Sequence, residues 1–505
     1  MEKRTLLAIA LSVAVLILYQ MFFAPPPPQP VKQVQGTKTQ SSPEVKKEVT
    51  PPPTMPITSA PVEEKSIRVE TGLYVAEFTN KGGTLRSFKL KKFKDKEGLD
   101  ISLLRAGSIV PALGVGSSGD FSYSDKIFAL DGGDINLSGS QEGTLVFTYA
   151  SEGLYIKRTY RFFGDSYKIE LLDETSLPNY ELTLGTELGI STRTDRSAHI
   201  GPVLLLDTDR IELTPKKLKE AKTFSGRLKW IAQEDKYFFA AIVPLQGQVQ
   251  ARSWLSGESG SISITGGSGG KYLIYIGPKE HDSLKSLGVG LEHIIDFGFF
   301  SILARPLFWF LKFLHKWLGN WGWTIVVLTI IVRIPFIPII NKGQIAMKKI
   351  QDIQPKMQEL KEKYSKDPQR LQAEMMELYK KHKVNPMSGC LPMLIQIPVF
   401  FALYKVLNIA IELRGAPYML WITDLSQKDP YYVLPIIMGA TMVIQQKMTP
   451  SGGDPAQRKL MMLMPVIFTF LFINFPSGLV LYWLVNNILA IIQQFYINKK
   501  IKASA

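Results

Sequence analysis

Apolar and polar positions fall in blocks along this chain of 505 residues. The first block, Thr5 to Ala24, is largely apolar and follows the basic start Met1-Glu-Lys-Arg4. A helix over 5–24 rises about 1.5 Å per residue and reaches about 30 Å, the thickness of a bilayer's hydrocarbon core. A cleaved signal peptide is the alternative, but the run is long and no small-x-small site follows it. The expectation is an uncleaved membrane anchor over 1–24. Residues 25–65 form a linker, with eleven prolines between Pro25 and Pro61 among Gln, Lys, Ser and Thr. Such a segment has nothing with which to build a core and reads as an extended tether.

Over 66–280 the period becomes two. Tyr74-Val-Ala-Glu-Phe78, Leu145-Val-Phe-Thr-Tyr149 and Tyr272-Leu-Ile-Tyr-Ile276 alternate, with Gly, Asn, Asp and Ser between such runs. This pattern predicts a large antiparallel β-sandwich. Residues 281–319 mix apolar with cationic types, as in Phe308-Trp-Phe-Leu-Lys312 and His315-Lys-Trp317. Charges recur too often for a span, so helices lying in the membrane interface are predicted. Trp321 and Trp323 then mark an aromatic belt.

Five further apolar spans are predicted at 320–340, 388–411, 431–446, 460–475 and 479–495. Between the first two of these lies a charged stretch, 341–386, with helical rhythm. Ile350, Ile353, Met357, Leu360 and Tyr364 share one face, and Leu371, Met375, Leu378 and His382 another. Asp367-Pro368 between them reads as a turn and helix start. The prediction is an antiparallel hairpin whose lysines include Lys348, Lys349, Lys356, Lys361 and Lys363. It serves as a solvated membrane-surface element, a ribosome docking site or a cover for a cavity.

Charge sets the orientation. The net charge is +15, which by itself would suit nucleic acid. Its distribution fits a membrane better. The 341–386 stretch has eleven Lys or Arg against six Asp or Glu. The 446–459 loop is basic, the tail 499–505 carries Lys499, Lys500 and Lys502, and the 412–430 loop is neutral to negative. The positive-inside rule then places both termini in the cytoplasm, with six spans and the β-block outside. No specific DNA binding is expected.

Catalytic chemistry finds little support. The single cysteine, Cys390, permits no internal disulfide and reads as packing. The five histidines lack metal-ligand spacing. Gly114-Val-Gly-Ser-Ser-Gly119 has a dinucleotide-binding spelling, but a β-like stretch follows it where a helix is required, so it reads as a turn. There is no phosphate-binding loop of Walker type. Neither an enzyme nor a cofactor is expected.

One residue breaks the apolar pattern most sharply. Arg333 lies about 10 Å above the cytoplasmic end of its span, where a guanidinium costs about 3 kcal/mol. Snorkelling to the cytoplasmic headgroups is one reading of so long a side chain; none of the six spans offers a carboxylate, so water in a cavity is the expected partner. Thr329 lies one turn away on the same face. Gln396 and Asn487 fall at the same depth on two other spans, roughly 10–12 Å from the cytoplasmic side. Singly, such amides are glue between helices; together with Arg333 they predict one hydrophilic pocket open to the cytoplasm. The last three spans are short, which predicts local thinning of the bilayer.

Asn320-Trp-Gly-Trp323 leading to Arg333, Gly389-Cys-Leu-Pro-Met-Leu-Ile-Gln-Ile-Pro398 and Phe475-Pro-Ser-Gly-Leu-Val-Leu-Tyr-Trp-Leu-Val-Asn-Asn487 resemble the YidC family of membrane insertases, relatives of the Oxa and Alb proteins of organelles. Trp230-Ile-Ala-Gln-Glu-Asp-Lys-Tyr237 and Gly277-Pro-Lys279 resemble its periplasmic domain, which marks the Gram-negative form. The resemblance implies a β-supersandwich outside and a five-helix insertase core. It also implies a groove in which Arg333 attracts acidic tails, lined by Thr329 and Gln396. Phe400 and Trp483 stand where the family touches the incoming helix, though the family often carries tyrosine at the second position. The implied partners are nascent membrane proteins, the Sec translocon, the ribosome and the phospholipid bilayer. Two other readings remain: a small-solute transporter or channel, which lacks the internal repeats usual for that class, and an anchored periplasmic sugar-binding enzyme.

Overall fold

The computed structural model describes residues 63–95, 97–104, 109–151, 153–191, 198–267, 269–382, 391–448 and 455–504, and side chains within these except 391–395, 455–461 and 500–504. The expected anchor over 1–24, nearly all of the linker, and Cys390 lie outside the described residues.

Three sheets hold the strands of the first half. The largest has nine strands, running from Asp209–Glu212 at one edge through Leu228–Glu234, Phe238–Pro244, Gly269–Pro278 and Leu154–Phe163 to Ala129–Asp131 at the other. Two five-stranded sheets accompany it, one containing Thr84–Lys94 and Tyr74–Thr79, the other Gln250–Ser256 and Ser259–Thr265. Pairing is antiparallel except where Ser66–Glu70 meets Ile135–Asn136. The period-two pattern explains the core: Ile156, Tyr160 and Phe162 of one strand all point inward and are fully buried. Arg158 shares that face. Its guanidinium donates to Asp173 Oδ1 at 3.0 Å and to the carbonyls of Gly82, Gly83 and Leu113 at 3.1, 3.1 and 2.7 Å. A buried charge persists only when so fully paired. At the glycine-rich spelling near residue 114, Ser118 and Gly119 take positive φ and Ser117 pairs with Asp120, a reverse turn rather than a phosphate loop.

The chain then becomes helical. We label the helices α1 (His281–Ser286), α2 (Ser301–Leu318), α3 (Trp321–Arg333), α4 (Ile337–Asp352), α5 (Gln354–Lys363), α6 (Pro368–Lys381), α7 (Leu391–Ile409), α8 (Val433–Met448), α9 (Pro455–Phe472) and α10 (Ser477–Ser504). Asn320 caps α3 by accepting from Trp323 N at 3.1 Å, while its Nδ2 donates to the carbonyls of Pro417 and Tyr418. Asp367 caps α6 in the same way through Arg370 N. Buried Asp429 accepts from Leu434 N at the start of α8 and from the Trp421 indole.

Two boundaries differ from the sequence reading. The span expected to end at Ile340 continues through a short 3-10 turn, Ile334–Phe336, into α4 and on to Asp352. Pro335 and Pro338 permit this because each sits in the first turn of its element, where no hydrogen-bonded N–H is required. The tail expected as a separate basic segment is the helical end of α10.

Many apolar side chains of these helices face outward, among them Trp317, Phe470, Ile436, Ile492 and Phe495. Such a belt is stable only against lipid. Among the described residues, Trp321–Asp352 and Ser477–Lys499 are long and apolar enough to cross a membrane, and Gln396–Ile409, Val433–Met448 and Met462–Phe472 are shorter apolar stretches. Helices α8 and α9 approach closely: a Cβ on Gly439 would collide with Thr469 Oγ1.

The β-domain and the helices share one continuous apolar core through Leu284, Leu291 and Ile294. Polar clasps reinforce the junction. Lys405 of α7 pairs with Asp296 at 3.0 Å, and Lys312 of α2 with Asp282 at 2.5 Å. Arg414 donates to the Lys94 carbonyl at 3.1 Å and lies over the ring of Phe238.

Candidate functional site

The predicted polar residues are carried by α3, α7 and α10. Thr329 is buried on α3, and its hydroxyl donates to the Ile325 carbonyl at 2.6 Å, a bond within its own helix. One turn on, Arg333 is half-buried and turned toward α10. Its Nη1 donates to Asn486 Oδ1 and, at 3.4 Å, to the Asn486 carbonyl. Its Nη2 donates to Gln493 Oε1 at 3.2 Å. Among the described residues no carboxylate pairs with it, so neutral oxygens alone hold the charge.

Gln493 extends the network. Its Nε2 donates to Asn341 Oδ1 at 2.6 Å and to the Ile337 carbonyl at 3.4 Å, both on α4. Gln396 of α7 donates to the Tyr482 hydroxyl at 3.1 Å. Tyr482, Asn486 and Gln493 follow spacings of four and seven along α10, which puts them on one face. That face meets α7 near its start, α3 in its middle and α4 further along.

Asn487 does not join them. It is buried and faces α8, where its Nδ2 lies 3.3 Å from Thr441 Oγ1 and 3.5 Å from the Met438 carbonyl. The expected azimuth differs: neighbouring residues on a helix point about 100° apart, and Asn487 faces α8. Asn486 occupies the place assigned to Asn487. Its signal was the seven-residue spacing to Gln493.

Phe400 and Trp483 meet directly, edge to face, with centroids 4.8 Å apart. Trp483 also packs on Phe472 of α9 at 5.0 Å. Its Nε1 is buried with no hydrogen-bond partner among the described residues. Rings and amides therefore form the seam between α7 and α10.

The hairpin lysines stand apart from this cluster. Ile350, Ile353 and Met357 pack with Met375, Leu378 and Tyr379 to close α4, α5 and α6 on one another. Lys349, Lys356, Lys361 and Lys363 are exposed, and Lys348 reaches Gln351 at 3.1 Å and Asp352 at 3.6 Å along its own helix. The apolar seam thus leaves a basic outer surface. Among the described residues no three His, Cys, Asp or Glu side chains converge as metal ligands.

Residues 66–310 match the family described as YidC periplasmic domain, and residues 313–504 the family described as 60Kd inner membrane protein. A curated protein of Geotalea daltonii, named membrane protein insertase YidC, is 42% identical over 540 aligned residues and covers 100% of both chains. The chain belongs to the YidC family of membrane protein insertases. A second YidC, from Syntrophus aciditrophicus, is 43% identical over 549 aligned residues, covering 99% of this chain and 100% of its own. A solved structure described as an active YidC insertase with the first transmembrane domain resolved is 20% identical, covers 86% of this chain and 93% of its own, and has a TM-score of 0.40. In YidC terms the chain joins a periplasmic β-domain to a helical insertase core of the inner membrane.

Proposed function

We propose that this chain inserts hydrophobic segments of nascent proteins into the inner membrane through a hydrophilic groove between α3, α7 and α10, open to the cytoplasm and centred on Arg333. The observation that carries this is the half-buried guanidinium of Arg333, held among the described residues by amide and carbonyl oxygens alone. A cation left without an anion inside a helical bundle is poised to receive one.

In this reading an incoming segment parts the seam at Phe400 and Trp483 and lies between α7 and α10. Its polar tail rests beside Arg333, Thr329, Gln396 and Asn486 while the apolar stretch turns toward lipid. An apolar residue gains about 0.3–0.6 kcal/mol at the bilayer centre, so twenty gain about 6–12 kcal/mol. That offsets two or three tail carboxylates at about 3 kcal/mol each. The transfer needs no covalent step and no cofactor. Of the three spans expected to be short, α10 is long enough to cross, and α8 and α9 carry the shorter apolar stretches; that pair thins the bilayer locally and lowers the barrier further.

The finer architecture belongs to the same proposal: six spans, both termini cytoplasmic, and a periplasmic supersandwich over 66–280. The basic hairpin, with Lys348, Lys349, Lys356, Lys361 and Lys363, meets the ribosome or covers the groove. Some clients arrive through the Sec translocon.

Reconstitution into lipid vesicles tests the reading. Arg333→Ala is expected to reduce insertion of a substrate with an acidic tail by tenfold or more, and Arg333→Lys less. Equal activity of both variants and wild type, or solute flux without insertion, contradicts it.

A further inference from the structure

The ligands of Arg333 are arranged as an exchangeable set. Guanidinium groups bind carboxylates in a two-pronged geometry, with charge-assisted bonds about twice as strong as those to neutral oxygens. Here the two prongs are occupied by two different amides, Asn486 Oδ1 on Nη1 and Gln493 Oε1 on Nη2. Both ligands come from α10, seven residues apart, so a single helix face supplies the pair. Gln493 also has a second engagement, since its Nε2 donates to Asn341 Oδ1 at 2.6 Å. It can release Arg333 and remain hydrogen-bonded.

Building on the groove reading, we propose that Asn486 and Gln493 are a resident substitute for a substrate carboxylate, and that their competition for Arg333 sets which tails the groove accepts. With the amides in place, the charge is satisfied and the groove does not draw in every passing anion. An aspartate or glutamate side chain displaces Gln493 from Nη2 because its full negative charge outweighs an amide dipole. A neutral tail exerts no such pull and leaves the pair intact. Residues 486 and 493 thus determine specificity through the group they occupy.

The test compares two substrates that differ only in the translocated tail, one with two aspartates and one with asparagines in their place. Each is inserted by full-length protein in vesicles, and the readout is the ratio of acidic to neutral insertion. A hydrogen bond to a charged group is worth about tenfold or more in an equilibrium. Gln493→Leu removes a competitor and is expected to raise the ratio severalfold. Gln493→Glu gives Arg333 a permanent carboxylate and is expected to lower it about tenfold, as is Asn486→Asp, which supplies the carboxylate from the other ligand position. Arg333→Ala separates the two layers of the argument. If it leaves the ratio unchanged, the groove reading itself fails. If it abolishes the acidic preference while the variants at 486 and 493 keep the wild-type ratio, only the exchange proposal falls.

Discussion

Arg333 and Asn486 meet across two helices: Nη1 of the arginine donates both to the side-chain oxygen and to the main-chain carbonyl of the asparagine. The adjacent Asn487 instead makes two long contacts to α8. The two asparagines therefore differ in energetic weight. Asn486→Leu leaves a half-buried cation short of an acceptor, at a cost of about 1.5–3 kcal/mol. Asn487→Leu loses interhelical bonds worth about 0.6 kcal/mol on average in membrane proteins. Thermal unfolding of the purified variants in detergent is expected to rank Asn486→Leu as the less stable; the reverse order contradicts the assignment.

A second cation carries the β-domain. Arg158 and Asp173 are both fully buried, and Tyr180 donates to the same carboxylate. Removing one partner strands the other, so Arg158→Leu is expected to lose about 3–5 kcal/mol. The double variant Arg158→Leu with Asp173→Leu is expected to recover part of that loss. Denaturant unfolding followed by tryptophan fluorescence checks both.

These two arginines show what the sequence made legible. Hydropathy blocks identified the β-domain, the helical core and the hairpin because each rests on a period that burial imposes. The position of Arg333 at the end of an apolar helix was readable by counting residues. Azimuth was not: choosing Asn486 over Asn487 requires the rotation of α10 against α3, which packing decides. Arg158 escaped notice because alternation assigns a face and says nothing of the carbonyls waiting behind it. The continuation of the helix past Ile340 was hidden by Pro335 and Pro338, which usually mark ends yet fit comfortably in a first turn.

Acid is expected to loosen the junction between the β-domain and the helices. Hydrogen bonding from Lys312 lowers the pKa of Asp282. For Asp296, burial pushes the carboxyl up, but the charge of Lys405 and the Gly298 N–H outweigh it and leave the group below its ordinary value. Carboxyls with depressed folded values stabilise above the unfolded pKa of about 4, and that stability is lost as pH falls through the folded values. Glu412, raised by burial, acts oppositely: its contribution is complete below its ordinary value and fades as pH rises through the raised one. Melting temperature is therefore expected to drop as pH falls below about 4. Lys405→Met removes the cation from Asp296 and should make that drop shallower; an unchanged profile contradicts the clasp.

The central claim is that substrates pass between α7 and α10, beside Arg333. The most direct measurement places a photo-reactive phenylalanine analogue at position 400 or 483, with a control at lipid-facing Phe470, and challenges native membranes with a stalled, partly inserted membrane protein. The account predicts adducts from positions 400 and 483 to the substrate's apolar segment, weak adducts from 470, and loss of both strong adducts once the chain is released. Strong labelling from 470 with none from 400 or 483 would contradict it.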